Sequence, residues 1–196
     1  MYKLIAHRGN KKSSKENTLA AFFDAVNSSD YVGFECDVRQ SKDNKFVIYH
    51  DPLFQGKLIK NYYYQDLKKY DIPLLGDVLD IKTDKIIMVD IKDPFIDTEK
   101  LVRELNKYSD KKIYVMSFYD NAIIKLFNDN RTYKVGILNY VLNTDEKHFN
   151  YDFLCILGAI SNDKIIKNYK IKGKELFIYG VKKTNLKDFY PYYIVD

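Results

Sequence analysis

Two histidines, a pair of carboxylates on one strand and an Asp–Lys pair are the residues of this chain whose spacing can do chemistry. His7 and Arg8 stand at the end of a short apolar run, "YKLIAH" (2–7), with Gly9 behind them. Glu35 and Asp37 lie two apart in "VGFECDV" (32–38). On a strand both point to one face, and Cys36 points to the other. His50 ends "KFVIYH" (45–50), ahead of Asp51 and Pro52, and Asp90 and Lys92 again lie two apart in "KIIMVDIK" (85–92). Glu35, Asp37 and Asp90 make a hard, all-oxygen donor set suited to Mg²⁺ or Ca²⁺, with waters or substrate oxygens completing the shell. Zinc fits less well, because no cysteine lies in register and the histidines fall at strand tips. Two histidines flanking such an ion can divide general acid and general base work near neutral pH. Arg8 and Lys92 supply positive charge for a phosphoryl group. Metal, two cations and an acid–base pair add up to phosphodiester cleavage.

Each fragment alone has a plainer reading: a polar turn, a half-exposed strand face, an ordinary ion pair. The shared position decides between them. These side chains fall near the C-terminal ends of four successive β-rich runs, which parallel strands would bring to one rim. The candidate strands are 2–7, 32–38, 45–50, 85–92, 112–118, 134–138, 153–160, 175–181 and 192–196, short and rich in Ile, Val, Tyr and Phe. Several are apolar almost throughout, as strands covered on both faces are. Between them, 16–29, 73–82, 97–109, 120–130 and 161–173 show apolar residues recurring three or four apart, with Asn17 or Ser14 as candidate caps of the first. Repeated strand–helix units imply right-handed crossovers and an α/β fold. The step from Val38 to Phe46, "RQSKDNK", is too short for a helix. A closed barrel needs eight strands, so one of these candidates is peripheral, and periodicity alone does not separate a barrel from an open sheet.

The bulk properties narrow the classes. The chain has 196 residues and a net charge of +5, but its lysines are scattered among acids. No basic block marks a nucleic-acid arm. No apolar run approaches the ~20 residues of a membrane span, and "MYKLIAHRG" lacks a signal-peptide core. Cys36 and Cys155 lie inside apolar runs and form no CxxC, which fits buried free thiols in a reducing compartment. A cytoplasmic single domain over 1–196 is expected, its oligomeric state open. His148 sits in "DEKHFN" and reads as surface.

"AHRGN", "KENT" (15–18), "FECDV", "SKDNKFVIYHDP", "IPLLGDVLDI" (72–81), "MVDIK" (88–92), "VMSF" (115–118) and "VGIL" (135–138) resemble, in this order and spacing, the glycerophosphodiester phosphodiesterase family of the phospholipase-C-like TIM-barrel superfamily. The resemblance implies a compact TIM-type (β/α)8 barrel with no helix between its second and third candidate strands. It implies hydrolysis of a small-molecule glycerophosphodiester to sn-glycerol 3-phosphate and an alcohol. His7 and His50 match the catalytic histidines, Arg8 the phosphate-contacting arginine, and Glu35 and Asp37 two metal ligands. Asp90 stands where the family usually has glutamate, one methylene longer, and Lys92 matches the lysine after it. The segment after His50 is shorter than the family's usual insertion. Tyr179, Gly180 and Lys182 depart from the family's Trp-Thr and Asn. The competing readings are a phosphodiesterase acting on lysophospholipids or inositol phospholipids, and a non-catalytic phosphate-binding barrel.

Overall fold

The computed structural model describes residues 2–127, 130–140, 151–161, 164, 173–182, 186 and 192–196. Eight strands run parallel around a barrel: β1 (Leu4–Ala6), β2 (Tyr31–Gln40), β6 (Ile86–Ile91), β7 (Lys112–Ser117), β8 (Lys134–Asn139), β9 (Phe153–Leu157), β10 (Glu175–Tyr179) and β11 (Tyr192–Val195). β1 pairs with both β2 and β11, and that double pairing closes the sheet. Helices α1 (Leu19–Asn27), α4 (Thr98–Leu105) and α5 (Asp120–Leu126) lie in the crossovers after β1, β6 and β7. None of the described helices is long and apolar enough to cross a membrane. The helix expected over 161–173 falls almost wholly outside the described residues, as does His148.

The ninth candidate strand is the peripheral one. β3 (Phe46–Ile48) pairs antiparallel with the end of β2, Gln40 facing Phe46 and Val38 facing Ile48. A parallel return needs a crossover of about a dozen residues or more, so the short step after Val38 permits only a hairpin. His50 therefore reaches the barrel mouth on the returning arm of that hairpin, not at the tip of a fourth parallel strand. The chain then makes a small hairpin, β4 (Leu53–Phe54) with β5 (Lys57–Leu58), and two short helices, α2 (Tyr64–Lys68) and α3 (Leu75–Leu79), before entering β6. Phe54, Ile59, Leu67 and Ile72 pack with Val47 into a satellite core under this segment.

The barrel interior is filled by side chains. Met88, Met116, Leu138, Phe153, Cys155 and Phe177 form an inner cluster, and Cys36 belongs to the outer layer between sheet and helices. Both cysteines are free and buried. Gly136, two before Leu138 on the inward face, makes room for the Phe153 ring: a Cβ there would lie 2.4 Å from it. Gly136→Val should destabilise the fold by about 1–3 kcal/mol through overpacking, measured by denaturant melts. A variant as stable as the parent would mean the ring moves aside freely.

Candidate active site

The sequence places Glu35, Asp37 and Asp90 inside the barrel mouth through strand periodicity and register. On β2 the two acids share the inward face, and β2 pairs with β6 so that Asp37 lies directly opposite Asp90. All three carboxylates are buried, and one oxygen from each lies within 4.8 Å of the others. His7 and Lys92 follow β1 and β6 immediately. His7, Arg8, Glu35, His50, Asp90 and Lys92 line one cavity of about 200 Å³. The residues singled out from the sequence thus meet in one place.

Two cations hold the acids. Lys92 Nζ sits 2.5 Å from Asp90 Oδ2 and 3.1 Å from Asp37 Oδ1. Arg8 Nε lies 3.1 Å from Asp37 Oδ2, and its Nη1 donates to Glu16. The Arg8 backbone N–H donates to Glu35 Oε2 at 3.0 Å. That bond depends on a left-handed backbone at Arg8, φ +57°, which is uncommon away from Gly, Asn and Asp. Gly9 follows at φ +87°, where a Cβ would also meet Ala21 at 2.7 Å. The HRG order is therefore a steric requirement of the turn as well as a source of reactive groups.

Three acids against two cations leave an imbalance. Burial, then repulsion from Asp37 and Asp90, pushes the Glu35 carboxyl well above its ordinary range. Burial also lifts Asp90, to about 7, against the pull of Lys92. Burial opposes ionisation of Asp37 too, but Lys92, the Asn17 amide and Arg8 outweigh it and hold that carboxyl low. Burial disfavours the Lys92 ammonium, yet Asp90 and Asp37 more than compensate and raise it. Asp90 Oδ1 is buried with no hydrogen-bond donor, and Asp37 Oδ1 is buried with only the Lys92 ammonium, at 3.1 Å, beside it. Unsaturated buried carboxylate oxygens, all hard donors, with a net deficit of positive charge, fit a divalent cation.

Each histidine is oriented by a carboxylate. His7 Nδ1 lies 2.7 Å from Asp196 Oδ1, which Lys11 also contacts, and His50 Nδ1 lies 2.7 Å from Asp51 Oδ1. A carboxylate only accepts, so Nδ1 carries the proton and Nε2 is left free to exchange one with a substrate. Burial lowers the His7 pKa, and the bond to Asp196 works against that. Asp196→Asn removes the opposing influence. The limb of the pH–rate profile set by His7 should move to lower pH while the other limb stays, read from kcat/KM between about pH 5 and 9. An unmoved profile would show that Asp196 does not tune His7.

Several supporting residues escaped the sequence reading. Asn17, a candidate helix cap, instead turns inward at φ +56°, donating to Asp37 Oδ2 at 2.7 Å and accepting from its backbone N–H at 3.2 Å. Thr18 caps α1 in its place, accepting from Ala21 N–H. Arg39, which the sequence places in the step between two candidate strands, is buried and donates to the His50 carbonyl from Nε (2.9 Å) and Nη2 (2.6 Å). Its Nη1 reaches the Lys92 carbonyl and Asp93. One guanidinium thus ties together the loops that carry His50 and Lys92. The signal available was its position two residues after Asp37, in the same strand register as Glu35 and Asp37.

The profile of the glycerophosphoryl diester phosphodiesterase family matches residues 7–190. The chain belongs to that family. A glycerophosphodiester phosphodiesterase of Bacillus altitudinis is 30% identical over 150 residues, covering 63% of this chain and 60% of that protein. Another, from Caldanaerobacter subterraneus subsp. tengcongensis, is 28% identical over 162 residues, 69% of this chain and 65% of its own. The chain thus spans somewhat under two thirds of these relatives. Among solved structures, an Oleispira antarctica phosphodiesterase in complex with the product sn-glycerol-3-phosphate superposes with a TM-score of 0.84 at 18% identity, covering 98% of this chain and 92% of that one. At that identity the likeness shows the fold and not the activity.

Proposed function

We propose that this chain hydrolyses glycerophosphodiesters to sn-glycerol 3-phosphate and an alcohol, using a divalent cation. The observation that carries this reading is the single cavity lined by two histidines, two cations, Glu35 and Asp90, with Asp37 clustered against those two carboxylates. Arg8 and Lys92 bind the phosphodiester anion. The glycerol hydroxyl beside the phosphate faces the carboxylates. One imidazole takes its proton through Nε2 as its oxygen bonds to phosphorus. The bond from phosphorus to the alcohol breaks as the other imidazole donates a proton to the leaving oxygen. A cyclic phosphate and a free alcohol result. Water then adds to phosphorus with the imidazole roles reversed, opening the ring to glycerol 3-phosphate. Glu35, Asp37 and Asp90 would hold Mg²⁺ or Ca²⁺, which supplies charge neutralisation at the phosphoryl group and a lower hydroxyl pKa.

Asp51 and Asp196 keep each imidazole in the tautomer the exchange needs. Free, buried Cys36 and Cys155 accord with action in a reducing compartment such as the cytoplasm. The test is release of sn-glycerol 3-phosphate from a panel of glycerophosphodiesters, with and without Mg²⁺ or Ca²⁺. Absence of release from every member, with every ion, would overturn the reading in favour of a non-catalytic phosphate-binding barrel.

A further inference from the structure

A second cavity, of about 620 Å³, opens beside the candidate active site and shares Lys92 with it. It lies between the segment after His50 and the loop after β6. Its walls include Pro52, Leu58, Ile59, Pro94, Phe95 and Tyr119. Phe95 is 96% exposed and Leu58 37% exposed, although both sit at the mouth of a barrel whose other large apolar side chains are mostly buried. The site cavity itself, about 200 Å³, is below the ~300–1,000 Å³ usual for a bound small molecule. A substrate seated on Arg8 and Lys92 must extend beyond it, and the larger groove meets it at Lys92.

The direction of that extension follows from the site. The carboxylates that face the glycerol hydroxyls are the deepest groups, and His50 and Lys92 lie further out. The alcohol to be released therefore points outward, and on the His50 and Lys92 side of the mouth the groove is the surface it would meet. Among the described lining residues the only acid is Asp93, and it is engaged by Arg39 and the Gln40 N–H. Lys42 and Lys60 add positive charge there. A quaternary or primary ammonium head would find no free carboxylate and two like charges. An apolar chain would find Leu58, Ile59, Phe95 and Ile96 to pack on among the polar lining.

Resting on the hydrolytic reading above, we infer that this groove binds the leaving alcohol, and that the preferred alcohol carries an apolar chain instead of a small cationic head. The probe is a homologous series of glycerophosphoalkanols (ethanol, butanol, hexanol, octanol) beside glycerophosphocholine, each below its aggregation limit. The measurement is kcat/KM for glycerol 3-phosphate release. Full burial of a methylene corresponds to about fourfold, so an open groove should give about twofold per methylene. The hexanol ester should exceed the ethanol ester by about sixteenfold, four methylenes at about twofold each, and the choline ester by about tenfold. Phe95→Ser and Leu58→Ser should each reduce the slope along the series, whereas a purely structural defect would scale all esters together. A flat or falling series, or a tenfold preference for the choline ester, overturns this inference and leaves the hydrolytic reading standing. Failure to cleave any ester overturns the hydrolytic reading, and this inference with it.

Discussion

His7→Ala and His50→Ala each lower kcat for glycerophosphodiester hydrolysis by at least ~10²-fold, the usual scale for a lost general acid or base. Both imidazoles stand just after the ends of β1 and β3 at the mouth, partly exposed, and neither belongs to a hydrophobic core cluster. Melting midpoints should therefore move by no more than about 1 kcal/mol equivalent. The double variant should be scarcely slower than either single one, because the pair acts on one proton inventory and the losses are not additive. The pH–rate profile of the parent should be a bell whose apparent pKa values belong to the coupled site. Turnover per folded molecule near the parent value in either single variant would remove the histidines from the mechanism. A lowered melting midpoint with turnover preserved would assign the imidazole a structural part instead.

The second large effect is cation removal. Chelation should lower turnover by at least about 10²-fold, in keeping with the several kcal/mol a bound ion contributes to charge stabilisation at phosphorus. Glu35→Gln should weaken Mg²⁺ or Ca²⁺ affinity by about tenfold or more. A readout independent of activity follows from proton linkage. Asp90, raised by burial from an ordinary 3.8 to about 7, and Glu35, raised well above its usual range, keep protons in the folded chain that the unfolded chain has already released. In chelator, stability from these groups is therefore present at acid pH and lost as pH rises, for Asp90 between about 4 and about 7. Bound cation takes the place of those protons. The gain in melting temperature on adding Mg²⁺ or Ca²⁺ should be larger near pH 8 than near pH 5, with protons released on binding. A gain independent of pH, or full activity in exhaustively chelated buffer, would sink the assignment of the three carboxylates as a cation site.

The sequence by itself determined the shared faces of the strands and which runs form them, while their ends shifted: 32–38 runs on to Gln40, and 45–50 and 153–160 stop at Ile48 and Leu157. Glu35 with Asp37, and Asp90 with Lys92, are set by the two-residue period of a strand, which needs no knowledge of the neighbours. The apolar strand interiors and the helices at 16–29, 97–109 and 120–130 follow from local pattern, and their observed cores are Leu19–Asn27, Thr98–Leu105 and Asp120–Leu126. Tertiary structure decided what local pattern cannot encode. Closure of the barrel rests on β1 pairing at once with β2 and β11, a contact between the two ends of the described chain. The antiparallel course of β3 was hidden because a strand's residues read alike in either direction. Asn17 and Arg39 became visible only in three dimensions, since a buried polar group is defined by its partners. Those partners, Asp37 for Asn17 and the His50 and Lys92 carbonyls for Arg39, stand far along the sequence. The same holds for Asp196, which orients His7 from the opposite end of the described chain. The raised carboxyls belong with these findings, because burial and mutual repulsion arise only once register sets Asp37 opposite Asp90 with Glu35 beside them.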